Sequence, residues 1–303
     1  MTTGKNSHRE SLSGVFAPIT TPFSGEGHLL LDELASNIQK LNKSRLQGYF
    51  VLGTNGEFKS LSETEQKKVL ETVIRASSKD KVIMAGTGRE STECSMVDTR
   101  EAAAMGIHFA SLISPSFFSK KMTDPALLRH FRSIADASPV PVLLYNNPEV
   151  AVVTFTTGLV GEISKHQNIV GMKDSSKGNF ASYLLAAGLD FNLLAGSANF
   201  FLEALVMGGI GGVLSIANFA PEACCKVYDL WKGGKLEEAK AEQYKLMTLN
   251  QKVSWKFGVA GVKAAMDVFG FYGGPPRGPL QPLTPDEKRK LIDDLEVSDF
   301  LKK

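Results

Sequence analysis

Eight short apolar runs recur along the 303-residue chain, each followed by a polar turn and a stretch with helical spacing. The runs are Val15–Ile19, Gly48–Leu52, Val82–Gly86, Phe109–Ser114, Val142–Tyr145, Ile169–Lys173, Leu193–Gly196 and Gly212–Ile216. Each has the length of a strand. Stretches such as LLLDELASNIQKL and SETEQKKVLETVIRA carry apolar residues three and four apart, the period of a helix with one buried face. Ser62, followed three residues on by Glu65, forms a capping box that opens the second of these helices. Strands that alternate with helices imply a parallel sheet, because a helix must carry the chain back before the next strand runs the same way. Eight such units are what a (β/α)8 TIM barrel requires. An open doubly wound sheet has a nucleotide fingerprint after its first strand, where this chain has TTPFSGEGH. The isolated glycine patterns Gly86-Thr87-Gly88 and Gly208–Gly212 read as turns.

Past the eighth unit the pattern continues as helices near 222–231, 235–250, 255–269 and 285–296, with GGPPRGP at 273–279 before the last. The expected organisation is a flexible N-terminal segment over 1–13, the barrel over 14–220, and a C-terminal helical extension over 221–303 packed on the barrel.

Several function classes drop out on composition. A hydrophobic share of 43% and a charged share of 22% are ordinary for a globular chain with a large core. A formal charge of +2, with no Lys/Arg stripe among aromatics, gives no field for nucleic acid. Ala204 to Pro221 is uncharged, but Gly208, Gly209, Gly211 and Gly212 divide it, so no membrane span is expected. Cys94, Cys224 and Cys225 are too few for a disulfide framework, and no Cys/His spacing suits a metal. The N-terminus MTTGKNSHRESLSG lacks the apolar core of a signal peptide. Its faint likeness to a transit peptide, which would mean the mitochondrial matrix, is countered by Glu10 and its shortness, so the expected location is cytoplasmic.

A barrel of this kind carries its chemistry at the carboxyl ends of its strands. Those ends hold Thr20–Thr21, Thr54–Asn55, Thr87, Ser114–Ser116, Tyr145–Asn146, Lys173–Asp174, Gly196–Ser197 and Ser215. There is one lysine and one tyrosine among hydroxyls and amides, with no carboxylate pair and no Ser–His pair. Lysine in the middle of IVGMKDSS either points to solvent or is kept inside because its amine is needed. A lysine amine held dry loses hydration, so free amine exists near neutrality and can attack a ketone to give an electron-withdrawing imine. Such chemistry needs a proton carrier, for which a tyrosine one strand away serves, and donors for a carboxylate. GTNGE at 53–57 offers a glycine-flanked turn whose N–H groups can converge on an anion. Singly, each has a structural reading: Tyr145 as a core phenol, Thr54 and Asn55 as turn formers, Asp174 as a neutraliser of Lys173 or a cap for the next helix. Their shared position at one end of one barrel favours the chemical reading.

GVFAPITTPF, GTNGEF, YNNP, GMKDSS and GGVLSIAN fall in order on the first, second, fifth, sixth and eighth strands. With these motifs the chain resembles the dihydrodipicolinate synthase / N-acetylneuraminate lyase family of class I, pyruvate-dependent aldolases over about residues 14–300. The resemblance implies that Lys173 is the Schiff-base lysine, Tyr145 the phenol that shuttles protons, and Thr54 its relay. It further implies that Gly53, Thr54 and Asn55 hold the carboxylate of a small 2-oxo acid, and that the Leu214 carbonyl faces the site. No metal or organic cofactor is implied, and a homodimer or homotetramer is. Ser197 and Asn199 are expected to touch the distal half of the substrate.

Two departures bear on the substrate. The synthase branch has an arginine two residues after the proline of YNxP; here YNNPEVAV places Val150 there, with Glu149 beside it. An aliphatic chain cannot make the bidentate contact a second carboxylate needs. In SPSFFSKK, Phe117 stands where many members have a tyrosine that reaches the neighbouring subunit's site, or else Phe118 or Ser116 marks a shifted turn. FGVAGVKAAMDVFGFYGGPPRGPLQPL looks most like the eukaryotic 4-hydroxy-2-oxoglutarate aldolase type, with sugar-acid aldolases a near neighbour. The resulting expectation is cleavage of a 4-hydroxy-2-oxo acid to pyruvate and an aldehyde. The alternatives are synthase-type condensation or dehydration on the same imine, or a non-catalytic keto-acid sensor.

Overall fold

The computed structural model describes residues 8–176 and 178–297. Its strands are β1 (Gly14–Pro18), β2 (Gly48–Val51), β3 (Val82–Gly86), β4 (Phe109–Ile113), β5 (Val142–Asn146), β6 (Ile169–Asp174), β7 (Asn192–Ala195) and β8 (Gly211–Val213). They close in chain order into a parallel (β/α)8 barrel with helices between the strands. Both faces of each strand are covered, so the apolar runs need no polar alternation: β1, β2, β4, β5, β6, β7 and β8 are buried at every residue.

The eight expected strands are all present, seven of them with both ends within one residue of expectation. The largest difference is at Gly212–Ile216, where β8 stops at Val213 and Ser215–Asn218 forms a 3-10 turn. Asn218 closes that turn, its side-chain amide donating to the carbonyls of Pro18 at 2.9 Å and Ser215 at 3.0 Å. Residues 1–7 of the expected flexible segment lie outside the described residues. Arg9–Leu12 forms one helical turn, and Leu12 is buried.

The fold packs as two units. One comprises the described residues up to Gly14 with Val82–Gly196 and Glu203–Gly212, and it contains the paired strands from β3 through β7 and on to Gly211. The other comprises Val15–Lys81, Ser197–Leu202 and the described residues from Val213 onward. It pairs β1 with β2 in the register Phe16↔Gly48 and carries the C-terminal helices Pro221–Lys232, Leu236–Asn250, Lys256–Val268 and Pro285–Val297. Between the second and third of these, Gln251–Trp255 forms a wide π-type turn, a feature often found beside functional residues.

The capping box is formed as expected: the Ser62 side chain accepts from the Glu65 N–H, and the Glu65 carboxylate accepts from the Ser62 N–H. The three cysteines are free thiols, Cys224 and Cys225 buried. Among the described residues no helix is long and apolar enough to cross a membrane, and no three His, Cys, Asp or Glu gather as a metal site.

Candidate active site

In the first unit, the site is set by how β5 pairs with β6. The register begins Val142↔Ile169 and slips by one residue before Leu143↔Gly171, so that Tyr145 lies opposite Lys173. Without the slip Tyr145 would face Met172, whose side chain points the other way. A bulge used in this way re-aims side chains next to a site. Gly171 permits it: a Cβ there would lie 2.2 Å from the Asn192 carbonyl oxygen and 3.0 Å from the Leu143 side chain.

Lys173 is only 7% exposed and Tyr145 only 4%. The Lys173 Nζ sits 4.0 Å from the centre of the Tyr145 ring, within range of a cation–π contact. The Asn147 side-chain amide donates to the Tyr145 hydroxyl oxygen at 2.7 Å, which favours negative charge on that oxygen. The amine is therefore buried and beside a phenol, the arrangement imine chemistry requires.

Asp174, fully buried, ties two strand ends together. Its carboxylate accepts from the Asn146 amide at 2.7 Å, the Ser176 N–H at 3.1 Å and the Ser176 hydroxyl at 3.0 Å. Burial pushes its carboxyl above the usual range, opposed by these bonds. The Asn146 amide also donates to the Tyr183 hydroxyl at 3.2 Å, and Tyr183 donates to the Phe155 carbonyl at 2.6 Å. This network fixes the ends of β5 and β6. The next helix, Phe180–Ala187, begins after Asn179, so Asp174 does not cap it.

In the second unit, GTNGE makes a tight turn after β2, with the Gly56 N–H bonded to the Gly53 carbonyl and the Glu57 N–H to the Thr54 carbonyl. Gly53 is required, because a Cβ would lie 2.7 Å from the Phe50 ring. Leu52 and Glu57 are held at φ 58° and 52°, a left-handed conformation that costs about 1–3 kcal/mol each in a non-glycine residue. Asn55 is buried, and its amide donates to the Ser215 hydroxyl at 2.8 Å. Leu214 is buried, and its carbonyl accepts from the Ala217 N–H at 2.9 Å. The Ser197 hydroxyl accepts from the Asn199 N–H, while the Asn199 side-chain oxygen Oδ1 accepts from the Asn250 amide at 3.0 Å. Asn250 sits at the start of the π-type turn, so a C-terminal helix positions Asn199.

The strained turn is clamped by charges that the sequence reading passed over. The Lys263 ammonium, fully buried, donates to Glu57 Oε1 at 2.9 Å and to the Thr21 carbonyl at 2.8 Å. Glu57 Oε2 accepts from the Arg277 N–H at 2.8 Å. The Arg277 guanidinium makes a two-pronged contact with Glu65 at 2.7 and 2.8 Å and reaches the carbonyls of Gly27 and Ser60. Phe23 lies under both cations, its ring centre 4.7 Å from Lys263 Nζ and 4.3 Å from Arg277 Cζ. Burial pushes the Lys263 amine below the usual lysine range, against the pull of Glu57. The sequence signal was a lone lysine on the apolar face of GVAGVKAAM and a lone arginine in GGPPRGP.

Hydrogen bonds from Arg277 hold the Glu65 carboxyl down at about 2. A carboxyl depressed in the folded state contributes stability above the unfolded value near 4.3 and loses it as pH falls through the folded value. Thermal melts of wild type and Glu65→Gln, which keeps the capping box, should therefore differ most at neutral pH. The difference should shrink between about pH 4.5 and 2.

Phe117 is 79% exposed, and its ring packs edge-to-face on Phe118 at 4.9 Å. The turn that carries it is tied to Glu90, whose carboxylate accepts from the Ser116 N–H and hydroxyl and from the Phe117 N–H.

The chain matches the model of the dihydrodipicolinate synthetase family over residues 11–298. A 4-hydroxy-tetrahydrodipicolinate synthase of Methanothrix thermoacetophila is 34% identical over 292 residues, which cover 95% of this chain and 97% of that protein. A probable 4-hydroxy-2-oxoglutarate aldolase, mitochondrial, of Emericella nidulans is 30% identical over 301 residues, 96% of each chain. Among solved structures, a prophage protein of the dihydrodipicolinic acid synthase family from E. coli K12, in complex with pyruvate, superposes with a TM-score of 0.88 at 26% identity, covering 95% of this chain and 98% of the other. The chain thus belongs to the dihydrodipicolinate synthetase family, whose members are pyruvate-dependent lyases and aldolases that work through a covalent lysine–pyruvate imine without an external cofactor.

Proposed function

We propose that the chain is a class I aldolase that cleaves a 4-hydroxy-2-oxo acid to pyruvate and an aldehyde. The observation that carries this reading is the buried Lys173 amine 4.0 Å from the centre of the Tyr145 ring. In this reading the amine condenses with the C2 ketone and releases water. The C4 hydroxyl gives its proton to the Tyr145 oxygen, the C3–C4 pair moves into the iminium, and the aldehyde leaves. Tyr145 returns the proton to C3 of the enamine, and one water hydrolyses the imine to pyruvate and free amine. Thr54 relays protons to Tyr145; Gly53, Thr54 and Asn55 take the carboxylate, with the Leu214 carbonyl facing the same group. With phenylalanine at 117, the relay runs through water or substrate instead of a partner's hydroxyl. The working form is a homodimer or homotetramer, and its location the cytoplasm.

Cleavage is favoured over synthase-type condensation by Val150, an aliphatic residue where the synthase contact needs a cation. The test is a panel of 4-hydroxy-2-oxo acids assayed in parallel for pyruvate release, for dehydration, and for condensation of pyruvate with aspartate semialdehyde. Pyruvate release is the expected activity. Condensation is expected only weakly, and to rise in Val150→Arg. Wild-type condensation that outruns every cleavage, or dehydration without release, would replace this reading.

A further inference from the structure

Two residues past Tyr145, a side chain forgoes the bond its position offers. Asn147 stands at the N-cap of the helical turn Pro148–Ala151, its main-chain carbonyl accepting from the Val150 N–H at 3.2 Å and the Ala151 N–H at 3.0 Å. An asparagine placed there ordinarily turns its side-chain oxygen to an N–H of the first turn, which steadies the helix. The Asn147 side chain makes no such bond. Its amide instead donates to the Tyr145 hydroxyl oxygen at 2.7 Å. Local rules broken in this way belong to functional sites.

Strand geometry delivers the contact. Tyr145 lies in β5, which ends at Asn146, and the Asn147 backbone is still extended at φ −139° and ψ 87°. Side chains two apart on an extended chain share a face, so Asn147 projects to the side of β5 that carries Tyr145. The register that sets Tyr145 opposite Lys173 thus gathers an amine over the ring and an amide on the ring's oxygen. The direction of the bond matters. A carboxamide does not exchange its protons with substrate at working pH, so Asn147 is no proton carrier. As a donor it binds the phenol oxygen most strongly once that oxygen is deprotonated, because the bond is then charge-assisted. That is the state in which Tyr145 takes a proton.

We propose that Asn147 is a positioning residue for the proton transfers of Tyr145: its amide fixes the phenol oxygen and stabilises its deprotonated form. This rests on the aldolase reading of Lys173 and Tyr145.

The experiment uses pyruvate alone, so the aldehyde half of the substrate does not enter. In the imine with Lys173 a C3 proton passes to the Tyr145 oxygen, its bonding pair becomes the C2–C3 double bond, and the C=N pair settles on nitrogen. In D2O the reverse step returns deuterium to C3, and loss of the pyruvate methyl signal by NMR reads the exchange. Asn147→Asp keeps the size and the capping oxygen but replaces the donor by an acceptor, and Asn147→Leu removes the donor without adding charge. Each should slow maximal exchange by about 10- to 100-fold with little change in KM for pyruvate. Both should melt like wild type and still let borohydride trap pyruvate on Lys173. In the Tyr145→Phe background, which has no oxygen to hold, neither substitution should slow exchange further. Wild-type exchange in Asn147→Asp, or the same slowing whether or not the phenol is present, would overturn the proposal while wild-type trapping leaves the aldolase reading standing. Failure to trap pyruvate on wild-type Lys173 would remove that reading, and this proposal with it.

Discussion

Lys173→Ala is expected to abolish pyruvate release, by more than about ten-thousand-fold in kcat, because the covalent step has no substitute nucleophile. Lys173→Arg should be equally inactive despite its retained charge, since a guanidinium does not shed its proton. Tyr145→Phe should behave differently. It removes the proton carrier but leaves the amine, so turnover should fall by about 10²–10⁴ while pyruvate still condenses with Lys173. The three variants, measured by coupled pyruvate assay and checked for folding by circular dichroism, separate the nucleophile from its partner. If Tyr145→Phe kept wild-type turnover, protons would have to travel by a route that does not include this phenol.

The second large effect concerns stability. Glu57 and Lys263 form a buried ion pair beneath the GTNGE turn, 206 residues apart in sequence. Removing one partner leaves a charge with no water around it, a loss of about 3–5 kcal/mol. Lys263→Met and Glu57→Gln should each lower the melting temperature by roughly 5–8 °C. Because desolvation offsets most of the attraction within such a pair, the double variant Glu57→Leu/Lys263→Met should regain much of that loss. The purpose of the pair is then positional: it holds Glu57 in its left-handed conformation and the 53–57 turn in one shape. The double variant should accordingly remain folded yet show a raised KM. Additive destabilisation in the double variant would mean that the two charges act separately.

The barrel was legible because its signals are local. An apolar run followed by a helical period announces each βα unit whatever surrounds it, and the eight expected strands fall where the eight observed ones do. The burial of Lys173 was legible only jointly, because Tyr145 and GTNGE fall at the same end of the expected barrel. What sequence spacing does not carry is pairing at long range. The one-residue slip that sets Tyr145 opposite Lys173 depends on how β5 meets β6, and its only local trace is Gly171. The same holds for Lys263 and Arg277: each looks like an isolated charge until the fold brings it to Glu57 and Glu65. Asp174 was open between neutralising Lys173 and capping a helix, and its observed partners, Asn146 and Ser176, belong to two different strand ends.

The chemistry proposed for the site begins with condensation of the Lys173 amine with a 2-oxo acid. Incubation with pyruvate, reduction with borohydride and peptide mass analysis test it most directly. One reduced pyruvyl group per chain is expected, on the peptide that contains Lys173 and on no other. An unmodified Lys173, or a label spread over surface lysines, would contradict it.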